Sequence, residues 1–356
     1  MLELGEVKLK SGEQMKVKLV VSPAGKYEEL LIHFLDHKPD WVIRKLKAQL
    51  GGSHRPDLVD KFFVGEIDGE IAGQIWYGYP AAGSGIANFG EVYTAPMHRK
   101  KGVTDVLMQF FKDDFNSSPV HAALCTTSYD WVTQIYAKFG FQTVVQNAGK
   151  GPLILIRSGG RDFAEFSANY YAPGQPVTIE RGGVKHRHDI DTLLRFTNIL
   201  RHGTNPGNLK MVEFSGATLS GRAGPGWHVE NFMDACFLME DGKGFLTVAA
   251  LPDKKIVGWA FILNSGSPME MEKPTFDFEL HPNYSSSANL LIRETLRIAR
   301  KLRISSTCSW CSAAAKDKVD VLKKEGFKEL SRIPSYCAEN GRKSDMLILQ
   351  EGGISE

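Results

Sequence analysis

Alternating apolar and polar residues mark two stretches of the chain that predict β-hairpins. Residues 62–79 (FFVGEIDGEIAGQIWYGY) contain two such runs on either side of an Asp-Gly pair, and residues 244–263 (GFLTVAALPDKKIVGWAFIL) contain two more around a Pro-Asp pair. Alternation puts every second side chain on the same face of a strand, and Asp-Gly is a favoured hairpin turn. The pattern therefore predicts one antiparallel hairpin in each half of the chain.

Further apolar runs predict the elements that follow each hairpin: a strand ending in proline, an amphipathic helix, a strand, a second helix and a closing strand. In the first half these are the strand before Pro96, a helix near 103–114, a strand at 121–127, a helix near 130–139 and a strand at 153–157. Helices are also predicted ahead of each hairpin, over 25–50 and 189–202. A strand, helix and strand in succession imply a parallel pair. The predicted fold class is therefore α/β (α+β), with mixed, mostly antiparallel sheets flanked by helices.

Three landmarks of the first half recur in the second half. They are a hairpin glycine, the proline that ends a strand and the glycine of a Gly-Phe pair that ends a helix. Gly73 recurs as Gly258, Pro96 as Pro282 and Gly140 as Gly326, and the three separations are almost identical. Fixed self-similarity indicates a duplicated unit. We interpret the chain as two tandem domains, 1–165 and 166–356, with a linker at about 160–175, where glycine and proline are frequent.

The composition of the chain bears on whether it binds nucleic acid or a membrane. The chain has 356 residues, with 43 basic and 41 acidic side chains and a net charge of +2, so its overall charge gives no reason to expect nucleic acid. No apolar run reaches the length of a membrane span, and the charged N-terminus does not resemble a signal peptide. Five dispersed cysteines do not suggest a disulfide framework. These features favour a cytoplasmic protein without a membrane partner.

The turn after Pro96 (MHRKKGVT) carries the most specific chemistry. Arg99, Lys100 and Lys101 precede Gly102, which is followed by the helix predicted near 103–114. The first N–H groups of a helix have no partner inside the helix and bind anions, and glycine allows close approach of a ligand. The turn is therefore a candidate pyrophosphate site. The alternative is an ordinary basic turn that caps a helix.

This segment resembles the acyl-CoA-binding motif of the GCN5-related N-acetyltransferase (GNAT) superfamily. In that family an apolar strand runs into a proline and then into Arg/Gln-x-x-Gly-x-Gly/Ala at the start of a helix. The matching residues are Arg99, Lys100, Lys101, Gly102, Val103 and Thr104. Thr104 departs from the usual Gly or Ala, and Asp105 adds a carboxylate next to it. A second family pattern, Tyr-x-x-x-Gly-Phe, matches IYAKFGF at Tyr136.

The resemblance implies an N-acetyltransferase that uses acetyl-CoA, or another short acyl-CoA, to acylate a primary amine by direct attack. It implies that Tyr136 protonates the thiolate that leaves and that the backbone of Val92, Tyr93 and Thr94 binds the pantetheine arm. Glu91 is the only carboxylate on this strand and is the candidate general base. Strand alternation places it on the face opposite to Val92 unless a bulge intervenes, and the alternative is a solvent-facing glutamate. His98 and His121 are expected at the surface.

The second half keeps the pattern of elements and loses the cofactor residues. Ser285 stands in place of the arginine, Ala288 in place of the glycine and Leu322 in place of the tyrosine. We therefore expect a degenerate copy that does not bind acyl-CoA in the usual way. The Cys308-x-x-Cys311 pair has no second pair at zinc-finger spacing, so we expect no metal there. The glycine-rich stretch 213–228 is either a surface loop or a substrate lid.

Two other functions stay open. One is a non-catalytic module that senses acyl-CoA or binds a partner through the same fold. The other is a double-domain transferase that uses a large donor such as an aminoacyl-tRNA, which the modest net charge disfavours. The sequence does not identify the acceptor, which is a small-molecule or peptide amine, and it leaves open whether the chain is a monomer or a homodimer.

Overall fold

A computed structural model gives the fold of two compact units, Met1–Phe163 and Ala164–Glu356. The structure describes residues 1–82, 85–144, 149–157, 163–190, 192–193, 239–263, 273–339 and 342–351. The glycine-rich stretch 213–228 and most of the helix predicted over 189–202 lie outside these residues.

The first unit is built on one mixed sheet in the order β1-β2-β3-β4-β5-β6-β8-β7. Its strands are β1 (Leu2–Lys8), β2 (Gln14–Val21), β3 (Leu58–Ile67), β4 (Glu70–Pro80), β5 (Ile86–Thr94), β6 (Ala122–Thr127), β7 (Gln142–Thr143) and β8 (Gly151–Ile156). The neighbouring strands β5 and β6 are parallel, and all other pairs are antiparallel. The predicted hairpin, crossover and mixed sheet are confirmed.

The helices of the first unit are α1 (Tyr27–Phe34), α2 (Asp40–Gly51), α3 (Val103–Ser117) and α4 (Asp130–Ala137), and a short 3-10 helix spans Pro96–His98. The helix predicted over 25–50 is therefore two helices, because Pro39 precedes α2 and proline disfavours helical continuation. The prediction missed the hairpin of β1 and β2. The edge strand β1 is largely exposed and has little alternation, although β2 does alternate between exposed and buried residues.

The sheet of the first unit is covered on both faces. Phe63, Tyr77, Phe89 and Phe111 belong to the buried cluster that includes residues of α3. Phe62 belongs to a second cluster, with buried residues of α1 and α2. Consecutive residues of a strand point to opposite faces, so the Phe62-Phe63 pair anchors one helical layer on each side. β5 therefore lies between α3 and the α1–α2 pair.

The second unit has a sheet in the order β9-β10-β11-β12-β13-β15-β14. Its strands are β9 (Thr178–Arg181), β10 (Gly244–Ala250), β11 (Ile256–Leu263), β12 (Thr275–Leu280), β13 (Cys308–Ser312), β14 (Phe327–Glu339) and β15 (Arg342–Glu351). α5 (Phe163–Tyr170) precedes them, and α6 (Ala288–Lys301) and α7 (Lys316–Lys324) lie between them.

The order in the second unit matches that of β2 to β8 in the first, and the parallel pair β12–β13 stands where β5–β6 stands. Both halves thus share one architecture. In β13, Cys308 packs in a small cluster with Trp310, Met346 and Ile348. Among the residues described, no group of three or more His, Cys, Asp and Glu side chains is arranged to hold a metal ion. No helix in these ranges is long and apolar enough to span a membrane.

Candidate functional site

A cavity of about 650 Å³ opens in the first unit beside the C-terminal half of β5. Nine of the eleven residues predicted to form the site line it. They are Val92, Tyr93, Thr94, Arg99, Lys100, Gly102, Val103, Thr104 and Tyr136. Two segments that are well separated in sequence, the loop before α3 and the helix α4, are thereby brought to one space.

The cavity exists because the two parallel strands separate. The parallel pairing of β5 with β6 is confined to Ile86–Asn88, which pair with Ala122–Leu124. Beyond this point β5 continues to Thr94 along β4, while β6 continues along β8. Within the described residues, one edge of β5 from Val92 to Thr94 is thus left without a strand partner. Backbone N–H and C=O groups at such an edge can pair with an extended ligand.

The loop at the end of β5 has the backbone of an anion site. Lys100 and Gly102 both have positive φ values, 65° and 94°. Gly102 is the residue before the first turn of α3, and no side chain caps that turn. The first intrahelical bond is donated by the N–H of Val106 to the carbonyl oxygen of Gly102. The N–H groups of the first turn before Val106 therefore have no partner inside the helix.

Thr104, which departs from the family motif, and Asp105, which adds a carboxylate beside it, both have partners. The hydroxyl oxygens of Thr104 and Thr94 are 2.8 Å apart and share a hydrogen bond. This bond ties the start of α3 to the end of β5. The carboxylate of Asp105 accepts a hydrogen bond of 2.9 Å from the ammonium of Lys10, which also lines the cavity. The negative charge in the first turn of α3 is thus neutralised locally.

The three basic residues of the loop differ in their positions. Arg99 and Lys100 line the cavity, and the guanidinium of Arg99 lies 5.9 Å from the centre of the Tyr93 ring. Lys101 does not line it, because its ammonium donates to Glu13 at a distance of 2.7 Å. His98, expected at the surface, is instead buried and lines the cavity.

Tyr136 lies in α4 and is buried against Phe89 and Phe141, with ring centres 5.5 Å away in both cases. Burial raises the pKa of its hydroxyl well above the ordinary value of 10, and the nearby Cys125 and Glu91 raise it further. The side chain is therefore protonated at neutral pH and holds its proton more tightly than an ordinary tyrosine does.

Glu91 lies at a bulge in β5. Its φ is 51°, and the register between β4 and β5 shifts there. The carboxylate is largely buried, accepts a 2.7 Å hydrogen bond from Lys45 and lies 3.6 Å from the ammonium of Lys38. Burial alone would raise the pKa of Glu91, but the two lysines outweigh burial and lower it. Glu91 thus does not face solvent, and it is not among the residues that line the cavity.

Several residues at the site carry no signal in the sequence. Lys10 comes from the turn between β1 and β2, and the centre of the His37 ring lies 4.1 Å from the centre of the Tyr93 ring. Neither belongs to a motif. Val132 and Ile135 of α4 also line the cavity. The helical spacing of Val132 from Tyr136 could have indicated its position, because residues four apart share a helix face.

The second unit has a smaller cavity, of about 470 Å³, at the corresponding place. Ser285 and Ala288 line it where the first unit has Arg99 and Gly102. Lys318 also lines it, and its ammonium forms an ion pair of 2.5 Å with the buried Asp277. The cavity therefore lacks the basic loop and the glycine that characterise the first one.

Comparisons with known proteins give structural likenesses only. No protein-family model and no curated protein matches the chain. Solved structures with a similar fold include phosphinothricin acetyltransferase from Sinorhizobium meliloti in complex with acetyl-CoA (TM-score 0.35, 14% identity, 49% of this chain and 86% of that chain). Others are spermidine N-acetyltransferase from Vibrio cholerae with CoA and spermine (0.37, 14%, 49% and 94%) and ribosomal-protein-alanine N-acetyltransferase from Brucella melitensis (0.37, 16%, 49% and 98%).

Proposed function

We propose that this chain is a GCN5-related N-acyltransferase whose first unit transfers an acetyl or other short acyl group from acyl-CoA to a primary amine. The observation that carries the proposal is the single cavity in which an unpaired strand edge, a glycine-containing helix start and Tyr136 meet. Each of these features suits a different part of acetyl-CoA.

The loop before α3 and the edge of β5 would bind different parts of the cofactor. The N–H groups of the first turn of α3, with Arg99 and Lys100 beside them, suit the negatively charged pyrophosphate. The edge of β5 at Val92 and Thr94 suits the amides of the pantetheine arm. A cavity of about 650 Å³ is within the usual range for a small-molecule site. The thioester would then lie toward Tyr136.

In the proposed reaction the neutral amine attacks the thioester carbonyl carbon, a C–N bond forms, and the C–S bond breaks. The sulfur leaves as a thiolate and takes a proton from the hydroxyl of Tyr136. The attacking nitrogen loses one proton to water, and Tyr136 recovers its own from solvent. The hydroxyl is protonated at neutral pH, but burial raises its pKa and makes it a weaker acid, so the transfer relies on Tyr136 being held against the sulfur as negative charge develops there.

The role proposed for Glu91 is positional. A carboxylate whose pKa is lowered by two lysines accepts a proton poorly, which makes Glu91 a weak general base. Its ion pairs instead hold Lys45 and Lys38, from the α1–α2 side of the sheet, against the bulge in β5. We propose that this arrangement fixes the point at which the edge of β5 turns toward the cavity.

Titration calorimetry with acetyl-CoA tests the binding step. We expect one molecule bound per chain, because the second cavity has Ser285 and Ala288 in place of the basic loop and the glycine. The absence of binding to the wild-type chain would refute the proposed function. A stoichiometry of two would refute the proposal that the second unit is degenerate.

Thioester cleavage with a broad panel of amines tests the chemical step. Release of CoA thiol that depends on the amine would support the transferase. Binding without cleavage for every amine would favour a sensing module of the same fold. Binding of tRNA with a steep salt dependence would favour a transferase that uses a large donor.

A further inference from the structure

Lys10 connects the N-terminal hairpin with the candidate cofactor loop. It lies in the turn between β1 and β2, and its backbone N–H donates a 3.2 Å hydrogen bond to the carbonyl oxygen of Lys101. Its side chain lines the cavity and runs alongside Gly102. A Cβ placed on Gly102 would meet carbons of the Lys10 side chain at 3.5 Å. The aliphatic part of Lys10 thus lies against the loop that precedes α3.

A second contact ties the same turn to the same loop in the opposite direction. Lys101 of the loop donates to Glu13 of the hairpin at 2.7 Å, while Lys10 of the hairpin donates to Asp105 of α3 at 2.9 Å. Each segment thus contributes a lysine that pairs with a carboxylate of the other segment. Lys101, which the motif would place near a phosphate, instead anchors the hairpin. Lys10 of the hairpin lines the cavity.

The pair of Lys10 and Asp105 is only loosely held. The side chain of Lys10 is 74% exposed and that of Asp105 is 41% exposed. Exposed ion pairs of this kind contribute little to stability, because water screens the two charges and the side chains lose conformational freedom. The pyrophosphate of acyl-CoA carries one negative charge on each phosphate group, so its total charge exceeds that of a single carboxylate, and its oxygens accept charge-assisted hydrogen bonds from an ammonium. A phosphate at the start of α3 would therefore compete effectively with Asp105 for Lys10.

We propose that Lys10 is a phosphate ligand of the cofactor, supplied by the N-terminal hairpin, and that Asp105 holds it beside the loop when the site is empty. This inference rests on the proposed acyl-CoA site and adds to it an element outside the family motif. On binding, the ammonium leaves Asp105 for a phosphate oxygen. No covalent bond changes, and the hairpin stays anchored through Glu13.

The test compares CoA with pantetheine, which has the thiol arm and no phosphate. Affinities are measured by titration for CoA and by competition for pantetheine. The variants are Lys10→Met, Asp105→Asn and the double variant, with Lys16→Met as control because Lys16 is an exposed lysine of the same hairpin outside the cavity lining. We expect Lys10→Met to weaken CoA binding about fivefold in the wild-type background, and at least as much in the Asp105→Asn background, where no carboxylate competes for the ammonium. The affinity of Lys10→Met for pantetheine and the affinity of the Lys16→Met control for CoA should equal those of the wild type.

Four results would overturn the inference. If the effect of Lys10→Met vanishes in the Asp105→Asn background, the lysine only neutralises the carboxylate. If Lys10→Met lowers the affinity for pantetheine as much as the affinity for CoA, the lysine does not bind the phosphate. An equal loss in Lys16→Met would indicate a long-range effect of charge. Failure of the wild-type chain to bind CoA would remove the proposed function itself, whereas normal wild-type binding with an indifferent Lys10 would remove the inference alone.

Discussion

Gly102 is the residue whose replacement should best separate cofactor binding from folding. Its φ of 94° lies in the left-handed region, which costs a residue with a side chain roughly 1–2 kcal/mol. The nearest atoms to the Cβ of an alanine would be carbons of the Lys10 side chain, at an ordinary contact distance of 3.5 Å. The expected destabilisation from Gly102→Ala is therefore the backbone strain alone, about 1–2 kcal/mol.

The effect on acetyl-CoA should be larger than this strain. The methyl group would stand at the start of α3, where the first N–H groups of the helix face the expected phosphates. Displacing a phosphate from two such hydrogen bonds, each of which involves a charged group, costs roughly 3 kcal/mol in total. This corresponds to an affinity loss of about a hundredfold. Titration calorimetry measures the affinity, and urea denaturation measures the stability.

Gly69 provides a matched control in the same unit. It lies in the turn between β3 and β4, has a φ of 86°, and a Cβ there would meet nothing within 4 Å. Gly69→Ala should therefore lose as much stability as Gly102→Ala and bind acetyl-CoA as the wild type does. If both variants are destabilised equally and both bind acetyl-CoA within twofold of the wild type, the phosphate site is not at Gly102 and the reasoning is refuted.

Three further predictions concern the hydroxyl of Tyr136, the charge of Glu91 and the core. Tyr136→Phe should lower kcat for thiol release by roughly 100-fold or more and leave the Kd of acetyl-CoA within twofold; a parallel loss of affinity would indicate a packing role instead. Because the pKa of Glu91 is lowered from its ordinary value of 4.5 on folding, its ion pairs contribute stability above about that pH and lose it as the pH falls through the folded value. Urea denaturation should therefore show a smaller acid-induced loss of stability in Glu91→Gln than in the wild type, and equal losses would contradict the assignment. Phe111→Ala should cost roughly 3–5 kcal/mol in urea denaturation, because the ring is fully buried among aromatic side chains; a cost below about 1 kcal/mol would be inconsistent with that packing.

Local sequence rules were reliable where one element decides its own conformation. The Asp68-Gly69 pair predicted the hairpin, and both residues have the positive φ that such a turn requires. Gly102 was expected at a turn that benefits from glycine, and its φ of 94° agrees. The spacing of apolar residues likewise located α3 and α4 to within a few residues. These features depend on neighbours along the chain, which the sequence displays directly.

The partners of charged side chains could not be predicted from neighbouring residues in the sequence. The sequence placed Lys101 in the anion loop with Arg99 and Lys100, and the structure pairs it with Glu13 of a hairpin that the pattern did not reveal. The same pattern suggested that Glu91 was either a base or a surface residue, and the structure surrounds it with lysines of the α1–α2 region. Each outcome depends on elements that are distant in sequence.

The sequence by itself determined the order of the elements from β3 to α4, the recurrence of that order in the second half of the chain and the glycine at the start of α3. Only the tertiary structure decided how far β5 and β6 separate, which cations face the cavity and which carboxylates neutralise them. The physical reason is the distance along the chain between the residues that interact. Backbone conformation and helical periodicity are set within a few residues, whereas the charge around a cavity is the sum of side chains that folding brings together from distant segments.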